Sequence, residues 1–466
     1  MSAKVLKKPM CDSGTPLYDA LKERAARGKL RFHMPGHKGR DVYGSGLLRA
    51  MELDFTELRG TGNLYDGTAP IADAERLAAK AWRVPRAFFT TCGATSGIFA
   101  AIYLSTRGKK KIIIDRGCHK SVYHAAALMD LNPVYVYPDR IEGFNINGAV
   151  SPDKLEKLLT ENPDAGAVVL TCPTYYGVMS DIKVIAKLTR RYGIPLIVDE
   201  AHGAHLPFSD GFSSAVALGA DIAVCSMHKT LPALGQAAMV LTNEDISPLD
   251  ARRALALFST SSPSYDIMAT MDLARDYMQN TGRAVCKTLS EKISRIRRGI
   301  NSSGIFKTLD IPAIDPLRLC VNTAGAGLTG YKAAEILEDE FDIVCETADL
   351  LNVLFIITAA DSNNDIERLN SGLCALRKYA GGAPVTPPDF PQGAKAALTP
   401  YDALNKAGTT IPLRESAGYI SLNNLCPYPP GIPVVAMGEV IYPEHIAYLL
   451  LCGFSPEEQI SVISLN

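Results

Sequence analysis

The sequence predicts an α/β protein whose larger part is built on a mostly parallel sheet. Between about residues 63 and 312, short apolar runs alternate with helical patterns, as they do in repeated βαβ units. The runs 194–198 and 222–224 are apolar at every position, which is typical of parallel strands buried on both faces. Polar residues follow both runs, and open parallel sheets bind their ligands at the carboxyl ends of the strands.

The candidate strands of this region lie at 88–90, 111–115, 134–137, 167–171, 195–199, 222–226 and 238–241. The helical patterns that separate most of them lie at 96–105, 120–129, 152–160 and 181–192. A longer helical tract follows at 268–298. We therefore expect a mostly parallel sheet of seven strands with helices packed against it.

Three segments are expected along the 466 residues, because a chain of this length with 47% hydrophobic residues can form two or three domains. Residues 1–62 form an N-terminal arm with a candidate helix at 17–26 and a glycine-rich candidate binding loop at 33–39. Residues 63–312 form the large domain. Residues 313–466, where strands and helices are interrupted by turn-rich inserts, form a smaller α+β domain.

Charge and cysteine usage narrow the classes of partner. The formal net charge is -1, from 48 basic and 49 acidic side chains, so nucleic acid and anionic membranes are not expected as partners. The 11 cysteines include no C-x-x-C pair, and residues 1–16 contain no apolar signal-peptide core. His202 and His205 lack a third ligand at zinc spacing. We expect a soluble, cytoplasmic protein without a metal site.

A lysine and an aspartate follow two of the buried strands. Lys229 lies shortly after 222–224, and Asp199 ends the run 194–198. A lysine can form an imine with an aldehyde, and an aspartate can keep a ring nitrogen protonated. Pyridoxal 5′-phosphate requires both of these groups from a protein. The alternatives are a lysine that extends to the surface and an aspartate that caps a helix or forms a structural ion pair.

The segment 93–97 follows a candidate strand and begins a helix, where free backbone N–H groups and hydroxyls make an anion site. The residues proposed for a phosphate there are Gly93, Ala94, Thr95 and Ser96. Ser226 and His228 could add donors. An ordinary helix cap is the alternative interpretation of this segment.

His119 follows the strand 111–115 and is placed to stack on a pyridine ring, although a histidine after a strand can also be a plain loop residue. His119, Asp199 and Lys229 all follow buried strands, as the phosphate segment does. These four features follow one another along the chain, each after a strand, and this pattern favours a common site over coincidence.

Several motifs together resemble the ornithine/lysine/arginine decarboxylase family of fold type I pyridoxal-phosphate enzymes, in its shorter bacterial form. The motifs are His-Met-Pro-Gly-His-Lys-Gly at 33–39, the segment 115–121, Asp-Glu-Ala-His-Gly-Ala-His at 199–205, Ser-Met-His-Lys at 226–229 and Cys-Pro-Tyr-Pro-Pro-Gly-Ile-Pro at 426–433. The resemblance extends from about Thr15 to Glu439. It implies the fold type I architecture, with a large cofactor-binding domain and a smaller C-terminal domain.

The resemblance also implies roles for individual residues. Lys229 would form the Schiff base, Asp199 would bond the pyridine nitrogen and His119 would stack on the ring. The residues implied in binding the rest of the cofactor are Gly93, Ala94, Thr95, Ser96, His202, Ser226 and His228. Thr260 and Ser261 would reach the phosphate of a second subunit in a homodimer with shared active sites. Glu439 would meet the distal cationic group of the substrate.

The expected activity is decarboxylation of a basic amino acid, arginine first and lysine or ornithine next, in polyamine biosynthesis. One alternative is an aminotransferase or a carbon–carbon lyase on the same scaffold, which would need an arginine such as Arg414 to hold the substrate's α-carboxylate. A second alternative is a paralogue that keeps the fold and has lost the activity.

Overall fold

The computed structural model describes residues 28–32, 38, 56–57, 61–386, 391, 393–427 and 431–464. The candidate helix at 17–26 and most of the loop at 33–39 lie outside the described residues, as does most of the predicted N-terminal arm.

The strands are β1 (Leu30–Arg31), β2 (Arg86–Thr90), β3 (Lys111–Asp115), β4 (Asn132–Val136), β5 (Arg140–Ile141), β6 (Ile146–Asn147), β7 (Val168–Thr171), β8 (Leu196–Asp199), β9 (Ile222–Ser226), β10 (Ala238–Thr242), β11 (Lys307–Thr308), β12 (Arg318–Asn322), β13 (Ile343–Val344), β14 (Thr347–Ala348), β15 (Asn352–Ile356), β16 (Thr409–Pro412), β17 (Ile420–Ser421) and β18 (Gln459–Ile463). The α-helices are α1 (Ile71–Trp82), α2 (Gly93–Ser105), α3 (Lys120–Leu128), α4 (Pro152–Glu161), α5 (Ile182–Arg191), α6 (Met227–Thr230), α7 (Pro248–Leu257), α8 (Tyr265–Tyr277), α9 (Arg283–Ser303), α10 (Gly330–Phe341), α11 (Asn363–Ala375), α12 (Pro400–Asn405) and α13 (Pro443–Leu451).

The central sheet has seven strands, as predicted, and their order is β2-β10-β9-β8-β7-β3-β4. All neighbouring pairs are parallel except those that involve β10, which runs antiparallel to both β2 and β9. Strands β8 and β9 are buried at every residue, which explains their continuous apolar sequences. One apolar cluster fills each face of the sheet.

The carboxyl ends of the parallel strands meet at one edge of this sheet. Asp115 ends β3, Asp199 ends β8 and Ser226 ends β9. Helix α2 packs closely against the sheet because it carries Gly97, where an added Cβ would lie 2.7 Å from a methyl carbon of Val224. This close packing brings the N-terminus of α2 to the same edge.

In the described part of the chain, the C-terminal region contributes strands to three sheets. Strands β11, β12, β15 and β14 form an antiparallel sheet, and β16, β18 and β17 form another. In the third, β13 pairs with β1, so residues 30–31 join this region instead of the central sheet. The sequence pattern predicted α+β structure here but not its partition into separate sheets, because periodicity does not tell which strands pair. The domain boundaries at 62 and 312 stay predictions.

The tract predicted at 268–298 is helical but not uniform. It consists of α8, a π-helical turn at Met278–Gly282, and α9. No helix among the described residues is long and apolar enough to cross a bilayer.

Candidate active site

Lys229 lies in α6, the short helix that begins directly after the buried strand β9. It is half-buried, and its Nζ is 3.1 Å from Nε2 of His202. Burial lowers the pKa of the lysine, although the negative charges of Asp199 and Glu346 oppose this shift. A lowered pKa increases the share of neutral amine, which is the form that attacks a carbonyl carbon.

Asp199 ends β8 with its side chain buried, and its Oδ1 accepts a hydrogen bond of 3.1 Å from the backbone N–H of Ala201. Burial raises the pKa of this carboxyl group, and the nearby charge of Lys229 lowers it again. Asp115, at the end of β3, is a second buried acid beside it. Burial raises the pKa of Asp115 to about 6, and repulsion from Asp199 contributes.

His202 joins the lysine to an aromatic side chain. Its ring centroid lies 5.2 Å from that of Tyr175 in an edge-on arrangement, and the Tyr175 hydroxyl donates a hydrogen bond of 2.8 Å to Glu346 Oε1. His202 is buried, and burial together with the charge of Lys229 holds its pKa well below the usual range. The imidazole is therefore neutral at physiological pH and can take part in hydrogen bonds with the lysine amine.

The other two predicted histidines have fixed ring orientations. Nδ1 of His119 accepts a hydrogen bond of 3.2 Å from the backbone N–H of Ser121 at the start of α3. Burial, aided by the charge of Lys229, lowers the pKa of His119 to about 4. Nδ1 of His228 lies 3.0 Å from the carbonyl oxygen of Ala237, so this nitrogen carries the proton of the neutral ring. Ser226, just before, is buried at the end of β9.

The N-terminus of α2 confirms the predicted position of a helix start but changes which of its groups can bind an anion. The N–H of Gly93 donates to the carbonyl of Gln236, and Ser96 is buried with its Oγ donating to the carbonyl of Gly93 and 2.8 Å from Thr90 Oγ1. The hydroxyl of Ser96 is therefore engaged in internal hydrogen bonds, and the binding of a phosphate by Ser96 stays a prediction. Ala94 and the exposed Thr95 remain at the helix end.

Thr260 and Ser261 are exposed, and the N–H of Thr260 donates to Sγ of Cys92, which directly precedes α2. The segment therefore lies beside the start of α2 of its own chain. That it reaches the site of a second subunit stays a prediction.

The structure does not support the predicted role of Glu439. This side chain is 1% exposed, and its Oε2 accepts hydrogen bonds of 3.0 Å from Arg116 Nη2 and 2.7 Å from the N–H of Ala436. A carboxylate enclosed in this way balances a buried arginine and is not exposed to a substrate cation. The alternative carboxylate-binding residue Arg414 is also misplaced, because it is exposed and paired with Glu415 and Glu457.

A cavity of about 220 Å³ lies at the carboxyl end of β3, and it is lined by neighbours of Asp199 and His202 but not by Asp199, His202 or Lys229 themselves. Asp115 and Tyr175 line it together with Tyr176 and Asp349, whose side chains share a hydrogen bond of 2.6 Å. Sequence reasoning missed Tyr175, Glu346 and Arg318. Arg318 alone carried a signal, since it is a charged residue directly before the apolar run 319–321.

The fold is that of the fold type I pyridoxal-phosphate enzymes. The structure resembles lysine decarboxylase A from Pseudomonas aeruginosa, with a TM-score of 0.76 at 19% identity over 96% of this chain and 80% of that one. It also resembles ureidoglycine-glyoxylate aminotransferase from Bacillus subtilis, with a TM-score of 0.59 at 16% identity over 75% of this chain and 94% of the other.

Sequence comparison defines the family within this class. The Orn/Lys/Arg decarboxylase major domain matches residues 15–318, and the C-terminal domain of the same family matches 389–455. An arginine decarboxylase of Bacillus subtilis (strain 168) is 32% identical over 459 residues, which cover 94% of each protein. The chain belongs to the Orn/Lys/Arg decarboxylase family. The predicted class of enzyme, an amino-acid decarboxylase, is thereby confirmed.

Proposed function

We propose that this protein decarboxylates a basic amino acid and that arginine is its preferred substrate. The observation that carries the proposal is the grouping of Lys229, His202 and Asp199 at the carboxyl ends of β8 and β9, beside the cavity. The similarity to arginine decarboxylase over nearly the whole chain supports arginine ahead of lysine and ornithine.

We further propose that the chain holds pyridoxal 5′-phosphate at this edge of the sheet. Lys229 would bind the aldehyde carbon, Asp199 would pair with the ring nitrogen and His119 would cover one face of the ring. The start of α2, with Ala94 and Thr95, would bind the phosphate, and Ser226 and His228 could contribute. When bound, the cofactor supplies a ring that accepts the electron pair released at the substrate's Cα.

In this scheme, Asp199 sets the protonation of the cofactor ring, and Lys229 or His228 supplies the proton to Cα. Burial is the larger influence on Asp199 and raises its pKa, whereas the charge of Lys229 and the N–H of Ala201 act in the opposite direction and favour the ionised form. An ionised Asp199 would favour the protonated form of a ring nitrogen bonded to it. Lys229 would deliver the proton to Cα, and His228, whose Nδ1 donates to the carbonyl oxygen of Ala237, is the alternative donor.

Three further features belong to the proposal: a role in polyamine biosynthesis, a homodimer with shared active sites, and a cytoplasmic location. The balanced charge of the chain and its cysteines without paired spacing support the cytoplasmic location.

A panel of substrates tests the proposed function. The purified protein, supplied with pyridoxal phosphate, is assayed with arginine, lysine, ornithine and several neutral amino acids by carbon dioxide release and mass spectrometry of the products. We expect the fastest release with arginine and the corresponding amine as product. A 2-oxo acid without carbon dioxide would instead identify an aminotransferase, and no turnover of any basic amino acid would overturn the proposal.

A further inference from the structure

Two consecutive tyrosines in the loop after β7 are each hydrogen-bonded to an acid beside β14. The Tyr175 hydroxyl donates to Glu346 Oε1 at 2.8 Å, and the Tyr176 hydroxyl donates to Asp349 Oδ2 at 2.6 Å. Glu346 directly precedes β14, and Asp349 directly follows it. The two hydrogen bonds therefore connect the C-terminal region to a loop of the central sheet, and the proposed mechanism uses neither acid.

The backbone of this loop is held from inside and from outside. Within the loop, the N–H of Thr174 donates to the carbonyl of Val178, and the N–H of Gly177 donates to the carbonyl of Thr174, both at 2.9 Å. From outside, the N–H of Asp315 donates to the carbonyl of Gly177 at 2.8 Å. Side chains on a backbone fixed in this way retain only their rotamer freedom, and the hydrogen bonds to the acids restrict the two tyrosines further.

A chain of contacts leads from Glu346 to the amine of Lys229. The backbone N–H of Glu346 donates to the carbonyl of Leu354 in β15 at 2.9 Å, so this acid is anchored in a sheet. The buried ring of Tyr175 lies edge-on to that of His202, with 5.2 Å between the centroids. Nε2 of His202 is 3.1 Å from Nζ of Lys229. Glu346 thus reaches the lysine through one tyrosine and one histidine.

Several elements place charged or titratable groups around Lys229. These groups are Asp199 at the end of β8, His202 after it, His119 before α3, His228 beside the lysine, and Glu346 and Arg318 of the C-terminal region. Burial lowers the pKa of Lys229, and the charge of Arg318 lowers it further, whereas Asp199 and Glu346 raise it. Glu346 therefore favours the charged amine from the C-terminal region, as Asp199 does from the central sheet.

We propose that Glu346 is a positioning residue for Lys229, on which it acts through Tyr175 and His202. The inference rests on the proposed function in taking Lys229 as the reactive amine. By accepting a hydrogen bond from Tyr175, Glu346 holds the tyrosine ring against the imidazole of His202, which in turn stays within hydrogen-bonding distance of the amine. The negative charge of Glu346 also favours the cationic amine. The C-terminal region thereby helps to set the share of neutral amine at Lys229.

The reactivity of Lys229 at different pH values tests this role in the full-length protein without added cofactor. Acetic anhydride modifies neutral amines, and mass spectrometry measures the rate at position 229 relative to the exposed Lys406 in the same sample. Glu346→Gln keeps an acceptor for Tyr175 and removes the charge. We expect the pH midpoint of the reaction to fall by about 0.5 to 1 pH unit, which makes the reaction below the midpoint about three- to tenfold faster. With the cofactor added, the pH midpoint of the absorbance band of the lysine-bound cofactor should also fall.

The shape of the pH profile separates this role from a structural one. A loosened structure would expose the amine and raise the maximal rate above the midpoint, whereas Glu346→Gln should move the midpoint and leave the maximal rate unchanged. Asp349→Asn is the matched control, because it removes the charge from the neighbouring tyrosine–acid pair. The ring of Tyr176 lies 5.8 Å from that of Tyr175, so this pair is one ring further from His202. Asp349→Asn should move the midpoint by less than half as much as Glu346→Gln.

Tyr175→Phe tests the path of the effect, since it keeps the ring and removes the hydrogen bond that holds the carboxylate of Glu346. This variant should move the midpoint in the same direction by a smaller amount, and it serves if Glu346→Gln does not fold. Adding Glu346→Gln to Tyr175→Phe should shift the midpoint less than adding it to the wild type.

An unchanged midpoint in Glu346→Gln would overturn the inference, as would equal shifts in the two backgrounds or a shift accompanied by a higher maximal rate. The modification of Lys229 does not depend on turnover. A protein that releases no carbon dioxide from any basic amino acid therefore contradicts the proposed function, whereas the pH profile decides the role of Glu346.

Discussion

Two regions of the molecule contain buried arginines, and these arginines differ in the hydrogen bonds that their side chains donate. In the contact between the central sheet and the C-terminal region, Arg116 donates to the hydroxyl of Tyr123, to the carbonyls of Pro433 and Val434, and to Glu439. Near the strand ends, Arg318 donates to no group among the described residues. Arg116 is thus held by several hydrogen bonds, whereas Arg318 has an ion-pair contact of 3.8 Å with Asp315 instead.

The pKa shifts follow the same division. Although burial opposes its charge, interactions with Tyr123 and Glu439 raise the pKa of Arg116, so this cation is stabilised where it lies. At the strand ends, burial lowers the pKa of Lys229 and is only partly opposed by nearby acids. The region of Arg116 contributes to stability. The strand ends instead hold buried titratable groups such as Lys229 that lower stability, and such a cost is usual in an active site.

Lys229→Ala should give the largest effect of these variants. A small effect would contradict the contrast between the region of Arg116 and the strand ends. We expect activity to fall by about four orders of magnitude or more, because the variant has no amine to bind the cofactor. The absorbance band of the lysine-bound cofactor should also disappear. Its midpoint of urea unfolding should be unchanged or higher, since the amine is a partly desolvated group. Activity within about a hundredfold of the wild type would show that the site lies elsewhere.

Arg116→Met should affect stability in the opposite sense. It leaves Glu439 buried without its cation, so we expect the free energy of unfolding to fall by about 3–5 kcal/mol in urea denaturation. The double variant Arg116→Met/Glu439→Leu should recover much of this loss, because it removes both charges. A double variant as unstable as the single one would show that the pair is not the main contribution of Arg116.

Glu200 tests the cost of burial next to the active site. Its carboxylate accepts from the N–H of Ala215 and from Ser214 Oγ, yet burial raises its pKa to about 8. The folded state therefore holds a proton that the unfolded state releases near pH 4.5. Stability should fall as pH rises from about 4.5 to 8, by up to about 1.4 kcal/mol per pH unit. Glu200→Gln should flatten this slope in urea titrations at several pH values, and an unchanged slope would contradict the assignment.

His119 should give the smallest effect, and its contribution to stability should change with pH in the opposite direction to that of Glu200. Because burial lowers its pKa to about 4, the unfolded state binds the proton first as pH falls below 6.5. Its contribution to stability should therefore rise between about pH 4 and 6.5 and be complete above it, amounting to about 1–2 kcal/mol for a half-buried ring. His119→Asn keeps a helix-capping side chain and should reduce this dependence. An equal slope in both proteins would show that other groups titrate in this range.

The local pattern of the sequence predicted the central sheet well. All seven strands are present, with ends within two residues of the predicted ones, because a strand buried on both faces needs a continuous apolar run. It also indicated that Asp199, His119 and Lys229 follow strands, and parallel strands bring such positions to one edge. The family resemblance, carried by short motifs, was confirmed over most of the chain.

What the sequence determined by itself is thus the order of strands and helices and the residues at the strand ends, since both depend on neighbours along the chain. Only the tertiary structure decided that Ser96 points inward, that Glu439 is paired with Arg116, and that the C-terminal strands belong to separate sheets. It alone showed that the stem of Arg318 packs on Gly177. These features depend on contacts between residues far apart in the sequence, and a charged side chain reveals neither its partner nor the lack of one until the chain is folded.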